Sequence, residues 1–184
     1  MKFQYDKSWT LFLDRDGVIN EKIENDYVRN ISQFKLIPGV LDAFKIFKNI
    51  FGRIIIVTNQ QGINKKLMTS SDGEMIHHYL IQKLVDAGCN VDAILFAPNL
   101  KEENHPDRKP GIGMANKAKG LFPEIDFAKS VIAGDSKSDM LFGANARMIK
   151  IFISSNPDTS VPFDKSFNSL IDYAMDLKNT VPLH

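Results

Sequence analysis

Short, almost uninterrupted apolar runs recur along this chain, and most of them stop at polar residues. The runs are Thr10–Leu13, Ile54–Val57, Ala93–Phe96, Val131–Ala133 and Ile149–Ile153. Their length and large apolar side chains predict buried strands. Only the last contains a charge, Lys150, which fits an edge position.

Helical periodicity fills the gaps. Pro38-Gly39 opens a segment, Val40–Phe51, in which Leu41, Phe44, Phe47 and Ile50 recur at helical spacing. Ser71 and Glu74 have the spacing of a capping box for a second helix, and Ile76, Leu80 and Leu84 share its face. Gly88 is its expected stop. Met114–Leu121 and Asp139–Ala146 predict shorter helices. Phe167, Leu170, Ile171, Ala174 and Leu177 mark a last one.

Alternating strands and helices predict an α/β fold, with a parallel sheet covered on both faces. Ligands of such sheets bind beyond the carboxyl ends of the strands. Chemistry is therefore expected just after each apolar run.

Those positions are informative. Asp14-Arg15-Asp16-Gly17 follows the first run, and two acids so close repel unless a cation or a shared proton relieves them. Gly17 allows a sharp turn there. Thr58-Asn59-Gln60 follows the second run and offers a hydroxyl and a side-chain amide to phosphate oxygens. Arg108-Lys109-Pro110-Gly111 sits in the long polar stretch Pro98–Gly113, with two cations suited to an anion. Gly134-Asp135-Ser136-Lys137-Ser138-Asp139 follows the fourth run. Asp139 reads equally as a metal-site partner or a helix cap. Each segment alone reads as a polar turn. Together they combine anion donors with clustered carboxylates, which favour a hard divalent cation such as Mg²⁺.

Composition narrows the picture. The 184 residues are 43% hydrophobic and 24% charged with net charge +1. That suits one globular domain over residues 1–184, and nothing calls for nucleic acid. The single cysteine, Cys89, excludes an internal disulfide and fits a reducing, cytoplasmic setting. The first residues lack the apolar core of a signal peptide, and no apolar stretch is long enough to span a membrane. His77 and His78 are expected on a helix surface, and Trp9 and Cys89 in packing.

Asp14–Asn20, Thr58-Asn59-Gln60, Lys109 and Gly134–Asp139 resemble the four motifs of the haloacid dehalogenase (HAD) superfamily. Within it, Asp26-Tyr27-Val28, Thr58–Ile63 and Arg108-Lys109-Pro110 are most similar to the heptose-bisphosphate and histidinol-phosphate phosphatases. The Tyr27 segment leans towards the D-glycero-D-manno-heptose-1,7-bisphosphate phosphatases, which serve lipopolysaccharide or related carbohydrate synthesis. The resemblance implies a three-layer α/β/α, Rossmann-like HAD fold with a mostly parallel sheet. Short connections leave no large cap domain.

It also implies roles. Asp14 is the nucleophile and Asp16 the general acid and base. Mg²⁺ is held by the Asp14 and Asp135 side chains and the Asp16 backbone carbonyl. Thr58, Asn59 and Lys109 bind the transferred oxygens, Arg108 reaches another part of the substrate, and Asp139 supports the metal site from behind. The substrate is a small phosphorylated metabolite, and the chain is expected to act as a monomer. The family's structural zinc is expected to be absent, because the loop before Arg108 has His105 but no cysteine. A different class, a receiver-like module that keeps phosphate on Asp14, is disfavoured by the second acid, Asp16.

Overall fold

The structure, a computed structural model, describes residues 4–180. In chain order its elements are β1 (Thr10–Leu13), α1 (Val40–Ile50), β2 (Arg53–Asn59), α2 (Ser70–Asp86), β3 (Ala93–Ala97), α3 (Gly113–Leu121), β4 (Ser130–Gly134), α4 (Lys137–Ala146), β5 (Ile149–Ile153), β6 (Lys165–Phe167) and α5 (Leu170–Thr180). The six strands form one sheet in the order β3-β2-β1-β4-β5-β6, and every pairing is parallel.

Strict alternation along the central strands divides two cores. Leu11, Leu13, Ile54, Ile56, Val131 and Ala133 face the layer of α1, α2 and α5. Phe12, Ile55, Val57 and Ile132 face α3 and α4. Strands buried on both faces need apolar residues at every position, which is why they read as continuous runs.

Two expectations about edges and caps need correction. The charged run Ile149–Ile153 is not an edge strand, because β6 pairs outside it. Lys150 is tolerated because its Nζ reaches Asp164 at 2.8 Å while its stem lies along the sheet surface. The true edge, Lys165-Ser166-Phe167, has no apolar run to announce it, and it takes Phe167 out of the last helix. The α2 capping box is Thr69 with Asp72, not Ser71 with Glu74. Asp72 N donates to Thr69 Oγ1 at 3.1 Å, and Thr69 N donates to Asp72 Oδ2 at 2.8 Å. The helix therefore starts earlier than its apolar face suggests.

Among the described residues, no cap domain interrupts the fold. The segment after β1 is doubled back on itself, with Glu21 N donating to Lys35 O (2.8 Å) and Ile37 N to Ile19 O (3.0 Å). Gly88, with φ 72°, follows α2 at the expected stop. Among the described residues, no helix is long and apolar enough to cross a membrane.

Candidate active site

The chain builds outwards from β1 to β3 on one side, then returns to lay β4 against the other side of β1. The switch in direction lies between β1 and β4. Asp14 follows β1, with its N–H donating to Ala133 O at 3.0 Å, and Asp135 follows β4. A topological switch thus brings two acids, distant in sequence, side by side. Asp139 joins them from the first turn of α4, and the three carboxylates place oxygens within 4.8 Å of one another.

Glycines make room for this. Gly17 has φ 88°, and a Cβ there would collide with Asp135 Oδ2. A Cβ on Gly134 would collide with the Asp139 carboxylate. Asp139 also caps its helix, accepting from Ser136 N (3.1 Å) and Ser136 Oγ (2.5 Å).

Lys109 enters from the loop after β3. Its Nζ lies 2.8 Å from Asp14 Oδ1 and 2.5 Å from Asp139 Oδ1, and it donates to Val57 O at 2.7 Å. Burial opposes its charge, but Asp139 and Asp14 outweigh burial and hold the ammonium above its usual range. Asn59 fixes the loop: its Nδ2 donates to Lys109 O (3.1 Å) and its Oδ1 accepts from Lys109 N (3.0 Å). Each amide atom makes one bond to the Lys109 backbone, and the second Nδ2 proton stays available on the side where Asn59 lines the pocket. Thr58 lines it too, with Oγ1 accepting from Gln60 Nε2 at 2.9 Å. Burial and the charges of Asp139 and Asp135 push the Asp14 carboxyl up to about 7, against the pull of Lys109.

Asp16 has different surroundings. The repulsion expected between two such close acids is relieved here by donors around Asp16. Arg15 Nη2 reaches both carboxylate oxygens at 2.9 Å, Asn20 Nδ2 reaches Oδ1 at 2.9 Å, and Gln60 Nε2 reaches Oδ2 at 2.7 Å. Burial raises this carboxyl, but the Arg15 charge and the hydrogen bonds outweigh burial and hold it below the usual range. Asp16 rests as an anion. An incoming phosphate dianion brings the negative charge that favours its protonated form.

His77 corrects an expectation. It is buried, not on the surface, with its ring 5.4 Å from that of Phe96 and Nε2 3.1 Å from Arg15 Nη1. A guanidinium only donates, so Nε2 accepts and the ring carries its proton on Nδ1. Burial, then the Arg15 charge, push His77 down to about 4. His78 shows no such contact, and Cys89 is buried packing, as expected.

The pocket over these groups is also lined by Lys22, Tyr27, Gln61, Arg108 and Ser136. Lys22 Nζ meets Asp135 Oδ2 at 2.9 Å. Arg108 is steadied by donating to Asn99 O at 3.1 Å. Turns hold the rest of its loop: Arg108 N donates to His105 O (3.0 Å), and Gly113 N to Pro106 O (2.8 Å). Sequence reasoning passed over Arg15, Gln60 and Lys22. Arg15, a cation between two acids, was the one legible signal among them.

Comparison with known proteins now bears on this geometry. The model of the polynucleotide kinase 3 phosphatase family matches residues 6–171. The chain belongs to this phosphatase family. It is similar to a D-glycero-alpha-D-manno-heptose-1,7-bisphosphate 7-phosphatase of Mycobacterium tuberculosis, at 34% identity over 91% of this chain and 90% of that one. It is also similar to a D-glycero-beta-D-manno-heptose-1,7-bisphosphate 7-phosphatase of Helicobacter pylori, at 36% identity over 80% and 84%. Among solved structures, D,D-heptose 1,7-bisphosphate phosphatase of B. bronchiseptica, complexed with magnesium and phosphate, superposes with TM-score 0.84. That match is 24% identical and covers 93% of this chain and 98% of the other.

The phosphatase fold seen here fits a divalent cation. Asp135 Oδ1 is buried with no hydrogen-bond partner among the described residues. Three carboxylates converge there, and burial makes the Asp14 and Asp135 charges costly without a cation.

Proposed function

We propose that the chain is a magnesium-dependent phosphatase that forms an aspartyl-phosphate on Asp14, with D-glycero-D-manno-heptose 1,7-bisphosphate as its substrate. The observation that carries the chemistry is Asp14 itself. It stands at the tip of the central strand, beside Lys109 Nζ, in a three-carboxylate cluster open to the pocket. The substrate rests on the relatives named for it.

Asp14 attacks phosphorus while Asp16 gives its proton to the leaving oxygen. Asp16, protonated once the phosphate dianion lies beside it, regains the proton it gave up from the water that cleaves the acyl-phosphate, and releases that proton as phosphate leaves and it rests again as an anion. The Asp14 and Asp135 side chains and the Asp16 backbone carbonyl would hold Mg²⁺, which screens the repulsion between nucleophile and substrate. Lys109 and Thr58 stabilise the transferred oxygens, and Asn59 holds Lys109 in place. Asp139 orients Lys109 and the turn that carries Asp135. Arg108 and Lys22 stand at the mouth, where a second phosphate would lie.

The reading extends over residues 1–184 as one domain acting as a monomer on a small metabolite, in the cytoplasm. It includes no zinc, since residues 97–107 hold no cysteine.

The test is phosphate release with Mg²⁺ across both anomers of the heptose bisphosphate, histidinol phosphate, other sugar phosphates and a 3′-phosphorylated oligonucleotide. Preference for a heptose bisphosphate is expected, with activity abolished in D14N. Indiscriminate turnover abolished in D14N keeps the chemistry and removes the substrate. Wild-type turnover by D14N removes the covalent mechanism.

A further inference from the structure

We propose that His77 is a positioning residue for this reaction, orienting the acid/base carboxyl of Asp16 through the guanidinium of Arg15. The proposal rests on the reading of Asp14 and Asp16 just given.

Arg15 is the largest fully buried side chain among the described residues. One edge of its guanidinium is committed to Asp16: Nη2 donates to both oxygens at 2.9 Å, and Nε lies 3.3 Å from Oδ1. Nη1 is left on the other side, in the interior. A buried charged donor without an acceptor is costly. His77 Nε2 supplies that acceptor at 3.1 Å.

The imidazole is itself held. It is 7% exposed, projects from α2, and packs against Phe96 of β3. The direction of the guanidinium is therefore set by a helix, not by the loop that carries Arg15. Asn20 and Gln60 complete the grip on Asp16 from other sides. When the His77 acceptor is lost, Nη1 must turn to find another, and the fork on Asp16 turns with it. The neutral ring suits this task, because an imidazolium would have no lone pair to offer and would repel Arg15.

The consequence concerns leaving-group protonation alone. An alkyl alkoxide needs the Asp16 proton, whereas p-nitrophenolate leaves without one. kcat/KM reports the steps up to phosphoryl transfer, so it isolates this effect from the later hydrolysis. The experiment measures kcat/KM for an alkyl phosphate and for p-nitrophenyl phosphate in wild type, H77L, H77Q and D16N.

In H77L the alkyl phosphate is expected to lose about tenfold or more, a share of what general acid catalysis supplies. The aryl phosphate should stay within about twofold of wild type. H77Q, whose Oε1 can take the place of Nε2, should restore the alkyl rate. If H77L does not fold, H77N serves instead, since its amide is too short to reach Arg15.

An equal fall on both substrates would mean a merely structural histidine and would overturn the proposal, as would no fall on either. D16N separates the two layers of argument. If D16N shows the alkyl-selective loss and the His77 variants do not, the proposal fails and the mechanism stands. If D16N treats both substrates alike, the acid role of Asp16 fails and the proposal goes with it.

Discussion

Asn59 grips the peptide of Lys109 from both sides, donating to its carbonyl at 3.1 Å and accepting from its N–H at 3.0 Å. A strand end thereby fixes a loop residue fifty positions away. N59A should lower kcat by roughly tenfold to a hundredfold, somewhat less than outright loss of one charge-stabilising donor. Mg²⁺ affinity should hardly change. Steady-state kinetics with a Mg²⁺ titration checks this, and wild-type kcat in N59A would show that the Lys109 loop holds itself.

Lys109 balances two buried acids, so its loss should be felt in stability as well as rate. K109A leaves Asp14 and Asp139 without their shared cation. Removing one partner of a buried ion pair costs on the order of 3–5 kcal/mol. Urea denaturation in EDTA should show a loss of that order, and a loss under about 1 kcal/mol would contradict the close ion pairing.

Gly17 makes room for the Asp135 carboxylate through what it lacks. G17A would strain a backbone at φ 88° and push a methyl into Asp135 Oδ2. The chain should still fold, at a cost of about 1–2 kcal/mol for the left-handed conformation. Binding to the folded state alone raises stability, so Mg²⁺ should raise the wild-type melting temperature. That rise should shrink or vanish in G17A. A full Mg²⁺ shift in G17A would mean that Asp135 does not hold the ion.

His77 should give the protein an acid-sensitive component of stability. Its folded pKa is about 4, against 6.5 for a free imidazole. Between those values the unfolded chain takes up a proton that the folded chain refuses. Stability is therefore lost as pH falls from about 6.5 towards 4, by an amount on the order of 3 kcal/mol. Other groups also titrate in this range, so the measurement is the difference between wild type and H77Q across pH. A pH-independent difference would place the ring in a setting where it protonates freely.

Much of the fold was legible because both faces of the central strands are buried, which turns strands into visible apolar runs. Thr10–Leu13 and Ile149–Ile153 were located to the residue. β6 was not, since a three-residue edge strand has little to bury. Lys150 misled in the same way: a cation mid-strand suggests an edge, but a long stem lets the charge escape from an inner strand.

In the site, the residues following the strands announced themselves by type. Their divisions of labour did not. Asn59 read as a phosphate donor, and nothing in its type announced that the same amide also ties down the Lys109 backbone. His77 read as a surface residue because helical periodicity marks apolar faces, and it lies one residue after Ile76, on the flank of that face. Its partner Arg15 is sixty-two positions away, a separation that no local pattern records.

The strand order also sets a timetable. β1 is made well before its neighbour on the acidic side, β4, which follows only after more than a hundred further residues. β1 can pair with β2 early, and Lys109 follows with the loop after β3, but Asp135 and Asp139 join Asp14 only once the chain has doubled back to add β4. Until then the acidic side of β1 is an open sheet edge. Catalytic competence thus arrives in one late step, and a nascent chain halted before residue 135 has half a sheet and no active centre.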